Sequence, residues 1–282
     1  MLSDVTTPER VDHVSSQGYA WGYIGSCVPF VVCLLLVLNA GKIGLSMEMS
    51  MMISFAIIAF WWFGLTLPLL KTYQQKYYVE RKSHAMQNSF KRLFETIKNV
   101  RKEKKIFLFL LAFFFYIDSV YTIIDMAYGT ALGFESTGLL LALLLTQVVA
   151  FPFAILFGRL SSKYEAAKLI RVCILAYLGI SIFAIFLTKQ WQFWLLAVLV
   201  GMFQGGIQSL SRSYFTKIIP LEKSGEYFGL MDVCGKGASF LGTTVVGVLS
   251  QTTGQINLSL GALSVFFMLG IVFFRMSEKR EG

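Results

Sequence analysis

The chain has 282 residues, of which 56% are hydrophobic and 15% aromatic, with a formal net charge of +9 and a mean hydropathy of +0.65. A water-soluble domain of this length needs far less apolar surface, so the composition argues for a polytopic membrane protein. The basic excess does not indicate a nucleic-acid partner, because the Lys and Arg residues lie between apolar runs and not along one face.

Apolar windows of roughly 20 residues, the length that crosses a bilayer as a helix, fall at 19–39, 51–70, 106–128, 138–157, 170–188, 191–211, 227–250 and 257–275. They predict an all-α integral membrane protein, a polytopic bundle of eight transmembrane helices. The polar segment 71–105 holds eleven Lys/Arg against three acids and separates two spans from six. By the positive-inside rule it stays in the cytoplasm, and both termini follow it. Inner segments then carry 22 of the 25 Lys/Arg, outer loops only Lys42 and Lys189, and Lys236 falls inside a span. The start, MLSDVTTPERVDHVSSQ, is polar and acidic, unlike a signal peptide. Cys27, Cys33, Cys173 and Cys234 have no CxxC spacing and only His13 and His84 as co-ligands, so neither a metal nor a cofactor is expected.

In the first span Gly18, Gly22 and Ser26 recur every four residues, a pattern that admits a close neighbouring helix, and Pro29 is a candidate kink. The second span carries no charge or amide and suits lipid on all sides. Within 71–105, Met86, Phe90, Leu93, Phe94 and Ile97 form one helical stripe with Lys91, Arg92 and Lys98 off it. That predicts an amphipathic helix on the inner membrane surface, with the lipid bilayer as its partner.

The third span places Asp118 roughly 18 Å along a helix, near the bilayer midplane. An ionised carboxylate there costs on the order of 3 kcal/mol or more, so it needs a wet cavity, a partner or a proton. One reading makes Asp118 a proton or substrate-cation site; the other makes it a structural hydrogen bond to a neighbouring helix. Asp125 lies seven residues on with Tyr121 between, on nearly the same face. The fourth span holds Gln147 and Pro152 and ends in the turn GRLSSKYEAAKL. The sixth aligns Gln204, Gln208 and Arg212 at four-residue steps, a set that can contact a polar or carboxylate-bearing substrate, and has Gly201 and Gly205 for close helix packing. In the seventh, Asp232 and Lys236 stand four apart in the order that favours an intrahelical ion pair, with a gate as the other reading, and Gly235 and Ser239 open a small-residue stripe. Plain second, fifth and eighth spans against polar third and sixth spans give a three-helix period.

The stretch GMFQGGIQSLSRSYFTKIIPLEKSGEYFGLMDVCGKGASFLG, with FYIDSVYTIIDMAYG, TGLLLALLLTQVVAFPFAILFGRL and LSDVTTPERVDHVSSQGYAWGYIG, resembles the bacterial relatives of the autophagy-related vacuolar amino-acid effluxers, a branch of the major facilitator superfamily. The resemblance implies a twelve-helix fold of two halves working by alternating access, of which these spans would be helices five to twelve. The first four helices would be absent. Residues 1–70 would then be the remnant of the N-terminal bundle, 71–105 the basic cytoplasmic loop, and 106–282 the six-helix C-terminal bundle. The third and sixth spans are those the fold uses to line its cavity. GRLSSKYEAAKL resembles the superfamily's cytoplasmic turn motif at Gly158, Leu160, Lys163 and Lys168, which makes Gly158, Arg159 and Lys163 gating candidates, although Ser162 and Glu165 stand where an Asp and a Gly are usual.

The function this implies is a secondary active transporter, not an enzyme, in a bacterial plasma membrane. It would export amino acids or similar metabolites, with protons as a coupling partner. The alternative is a truncated, non-transporting membrane protein with an interaction role. Either way, a partner that supplies the missing helices is a question the sequence raises.

Overall fold

The computed structural model describes residues 2–76, 95–122, 133–254, 259 and 261–279, apart from the side chains of Asp118, Tyr121 and Thr122. Every regular element among the described residues is helical: α1 (Leu2–Val5), α2 (Val11–Leu38), α3 (Met47–Thr72), α4 (Lys104–Thr122), α5 (Ser136–Leu160), α6 (Ala166–Ile185), α7 (Gln190–Ile218), α8 (Ser224–Thr253) and α9 (Leu263–Glu278). Residues 95–102 are helical as well. Among the described residues, six segments are long and apolar enough to cross a membrane: α2, α3, α5, α6, α7, and Leu221–Thr253, which contains α8. Four residues of the amphipathic stripe expected at 86–97, Met86, Phe90, Leu93 and Phe94, lie outside the described residues, as does Asp125.

Several helices run past their apolar windows. α2 starts at Val11 and α7 continues to Ile218, each adding about two turns on the side of the basic loops. Apolar windows stop where charge begins, whereas a helix continues as long as its backbone is paired and its outer turns find contacts. Pro29 is buried inside an uninterrupted α2.

α7 is the hub. It packs on α5, α6, α2 and α4, while α9 closes against α4 and α6. Close approach to α5 follows from glycine. A Cβ at Gly201 would stand 2.7 Å from the Thr146 carbonyl oxygen, and one at Gly205 would stand 2.7 Å from Ala154 Cβ. Between α4, α7 and α9 the core is aromatic: the Phe109 ring lies 5.4 Å from Phe215 and 5.3 Å from Tyr214, and Tyr116 shares a 2.7 Å hydrogen bond with Ser211. Without a hydrophobic drive inside lipid, such packing and interhelical hydrogen bonds hold the helices together.

The glycine stripe of α2 does not do what its spacing suggests. Gly18 and Gly22 have nothing within 4 Å of where a Cβ would sit, and both are exposed. The packed face of α2 is instead the one bearing Ser15, Ser16, Ala20, Tyr23 and Cys27, and the close approach there comes at Gly158 of α5, where an added Cβ would stand 2.6 Å from Ser16 Cβ. Spacing alone identifies a smooth helix face but not which face has a neighbour. Among the described residues α3 packs chiefly on α2 and buries only Ser50 and Ser54, so most of its aromatic and aliphatic side chains face outward.

At the end of the bundle with the basic loops, α1 ties three elements together. Ser3 donates to Ser224 at the start of α8 (3.0 Å), and Asp4 accepts from the Tyr73 hydroxyl (2.6 Å) and the Lys76 amide (3.2 Å). The hydrogen bond to Asp4 pushes the Tyr73 hydroxyl up from 10.0 to about 12, with burial and the carboxylate's charge adding to it. Tyr73 is neutral when protonated and its folded value is the higher one. The stabilisation is therefore complete below pH 10 and disappears as pH rises towards 12. Tyr73→Phe is expected to abolish this alkaline loss, read as a thermal midpoint that no longer falls more steeply than its baseline across that window.

Candidate functional site

The polar residues within the spans converge. Gln208 and Arg212 of α7, Asp232, Lys236, Gly235 and Ser239 of α8, Phe113 and Ile117 of α4, and Tyr19 of α2 line one cavity of about 190 Å³. Four helices contribute because α7 crosses α2 and α4 while α8 leans on α4. A four-residue step keeps Gln208 and Arg212 on one face of α7, and Asp232 and Lys236 on one face of α8.

Each of these groups has a defined setting. Gln208, buried, accepts a 2.8 Å hydrogen bond from the Tyr23 hydroxyl at Oε1, which fixes its amide. Tyr23 in turn stands against Tyr19, ring centroids 6.1 Å apart. Arg212 is half-buried, its guanidinium carbon 5.4 Å from the centre of the Phe228 ring. That cation–π contact holds the charge at the wall without neutralising it. No ion pair joins Asp232 to Lys236 among the described residues; both side chains are exposed at the cavity instead. The helical register that permits a pair does not enforce one where water solvates both groups. The cavity thus presents two cations and one carboxylate around an anchored amide.

Other expected residues lie elsewhere. Gln204 does not reach the cavity, and its Oε1 is buried without a hydrogen-bond partner among the described residues. Gln147 is half-buried on α5, away from the cavity lining. Asp118 follows Ile117 on α4, one residue beyond the cavity wall. Arg159 and Lys163 are exposed and form no ion pair among the described residues; the ion pair at that turn is Lys168 with Glu165, 3.3 Å apart and exposed on both sides. Gly158 serves as a contact for Ser16.

Tyr19 and Tyr23 were not singled out from the sequence. Their signal was present, two hydroxyls four residues apart in an apolar run, but nothing local connects them to Gln208, 185 residues away. The same holds for the contacts between α2 and α7 on the basic-loop side of the cavity. Lys217 Nζ lies 2.6 Å from Asp12 Oδ2, Ser15 donates to the Ser209 carbonyl at 2.8 Å, and Ser16 and Ser209 hydroxyls are 3.1 Å apart. Asp12 is buried and its Oδ1 has no partner, so Lys217 alone neutralises it among the described residues. These contacts fasten α2 to α7.

Comparison with other proteins agrees with this architecture. Over 275 residues, 96% of this chain, the sequence is 42% identical to the uncharacterized MFS-type transporter YxiO of Bacillus subtilis. It is 26% identical over 302 residues to autophagy-related protein 22-1 of Aspergillus fumigatus, and 28% identical over 293 residues to autophagy-related protein 22-2 of Aspergillus clavatus. The matches cover 64% of the bacterial relative and 48% and 46% of the fungal ones, so the chain spans between about half and two thirds of their lengths. Residues 3–282 match the family described as vacuole effluxer Atg22 like. With its membrane-length helices and this match over almost all of its length, the chain is an integral membrane protein that belongs to the Atg22-like vacuole effluxer family.

Proposed function

We propose that this chain is the larger part of a secondary active transporter of the major facilitator type that moves amino acids or similar small metabolites by alternating access. In this reading α2 and α3 belong to a first bundle, α4 to α9 form the second, and all eight span a bacterial plasma membrane with both termini in the cytoplasm. The single observation that carries it is the convergence of Gln208, Arg212, Asp232 and Lys236 on one cavity. Separated charges of both signs fit a zwitterion: Arg212 and Lys236 receive a carboxylate, Asp232 an ammonium group, and Gln208 fixes orientation. Asp118, next to the lining residue Ile117 in the sequence, carries the coupling proton. The Asp12–Lys217 and serine contacts between α2 and α7 form a cytoplasmic gate that must part for the cavity to open inward.

Crosslinking tests this directly. With Ser16→Cys and Ser209→Cys in the full-length protein, oxidation should join two side chains whose hydroxyls now lie 3.1 Å apart and arrest flux, and reduction should restore it. Flux unchanged by complete crosslinking would refute the gate. A reading as a non-transporting interaction protein draws on α8, which packs chiefly on α4 and leaves Val233, Phe240 and Val248 exposed to a partner. Saturable flux by the 282-residue chain alone would exclude it.

A further inference from the structure

On the opposite side of the cavity wall lies a second concavity, of about 220 Å³, between the helical segment 95–102, α4 and α8. Its lining is apolar, with Ile97, Phe107, Leu111, Phe114 and Leu230 prominent, and Arg101 is the one charged residue in it among the described residues. Phe107 is 41% exposed, so the groove opens onto the outer surface of the bundle. From Phe107 to Phe114 it follows α4 for seven residues, roughly 10 Å at the rise of an α-helix.

The polar rim is basic. Segment 95–105 carries five basic residues against two acids. Glu103 accepts from the Tyr227 hydroxyl at 3.3 Å, and Thr96 donates to Glu226 at 2.7 Å; these bonds fasten the segment to the start of α8 and occupy the nearby carboxylates. Glu95, exposed, is the other acid of the segment. Arg101 and Lys98, three residues apart and so on one face, have no ion pair or hydrogen bond among the described residues.

We propose that this groove is a binding site for an anionic glycerophospholipid of the cytoplasmic leaflet, one acyl chain lying between α4 and α8 and the phosphate resting on Arg101 and Lys98. An apolar slot open to the membrane with an unpaired guanidinium at its headgroup end matches both parts of such a molecule. A soluble phosphate would leave the slot empty, and a zwitterionic lipid would leave the basic rim uncompensated. The groove shares its walls with the transport cavity: Phe114 follows Phe113, Met231 follows Leu230, and Gly235 follows Cys234, the first and second of each pair facing one space or the other. A lipid wedged there sets the separation of α4 and α8.

The test is native mass spectrometry of the purified chain in detergent, with palmitoyl-oleoyl phosphatidylglycerol, the matching phosphatidylcholine, or glycerol phosphate added. Phosphatidylglycerol should be retained about 30-fold better than phosphatidylcholine, the combined attraction of two basic residues to anionic lipid, and glycerol phosphate not at all. Arg101→Glu should remove the preference, and Leu111→Trp, which fills the slot, should remove retention of both lipids. Should the tryptophan variant fail to fold, alkylation of Cys234, which lines the groove, reads the same occupancy in the unsubstituted protein: phosphatidylglycerol should slow it and glycerol phosphate should not. Equal retention of the two lipids, a preference that survives Arg101→Glu, or alkylation indifferent to lipid would each overturn the proposal.

Discussion

Gly205→Leu is expected to abolish the monodisperse, folded protein in detergent. A Cβ at this position would lie 2.7 Å from Ala154 Cβ and 3.0 Å from both the Ala150 carbonyl oxygen and Ala154 Cα. None of these atoms can rotate away, so a larger side chain must push α7 off α5. Overpacking a tight core typically costs about 1–3 kcal/mol. Here the cost reaches the upper end or beyond, because α7 is also the element on which α2, α4 and α6 rest. Gly18→Ala is the control: open space surrounds that position, and alanine is the better helix former by up to about 1 kcal/mol, so stability should stay level or rise. Size-exclusion profiles and thermal midpoints of the two variants give the comparison. Equal behaviour would mean that the α5–α7 contact is not what holds the bundle.

The second large effect concerns the cavity. In the full-length protein, Arg212→Ala should raise the substrate concentration for half-maximal flux by at least about tenfold, since a charge-assisted hydrogen bond contributes about 1.5–3 kcal/mol. Arg212→Lys should fall between, keeping the charge and its place over Phe228 but losing the planar fork. Asp118→Asn should behave differently. If that carboxyl carries the coupling proton, flux driven by a pH gradient is lost while substrate exchange at equal pH persists. Reconstituted vesicles allow both measurements with radiolabelled amino acids. An unchanged concentration dependence in Arg212→Ala would remove Arg212 from the site, and intact proton-driven flux in Asp118→Asn would remove Asp118 from coupling.

The gate and the cavity wall depend on each other in this reading. Asp12 is buried against Lys217, so moving α2 away from α7 exposes a carboxylate to water and releases its cation. Both charges gain solvation as they part, which keeps the contact weak enough to break and reform. The serine contacts beside it are neutral and short, and they likewise exchange for water at little cost.

What the sequence determined by itself was everything that depends on one helix at a time. Runs of apolar residues marked the helices, since lipid demands that each backbone be paired within its own segment. The basic loop at 71–105 marked the sidedness expected of them, and four-residue spacing put Gln208 with Arg212 and Asp232 with Lys236 on common faces. The motifs of α7 and α8 also carried the family. The tertiary structure decided which faces meet. It turned the glycine stripe of α2 outward, left Asp232 and Lys236 without an ion pair among the described residues, and brought Tyr23 to Gln208 and Asp12 to Lys217. Those outcomes depend on how helices distant in the chain pack side by side. Periodicity says which side chains share a helix face, while the neighbour that face meets is chosen by the fit of whole helices against one another.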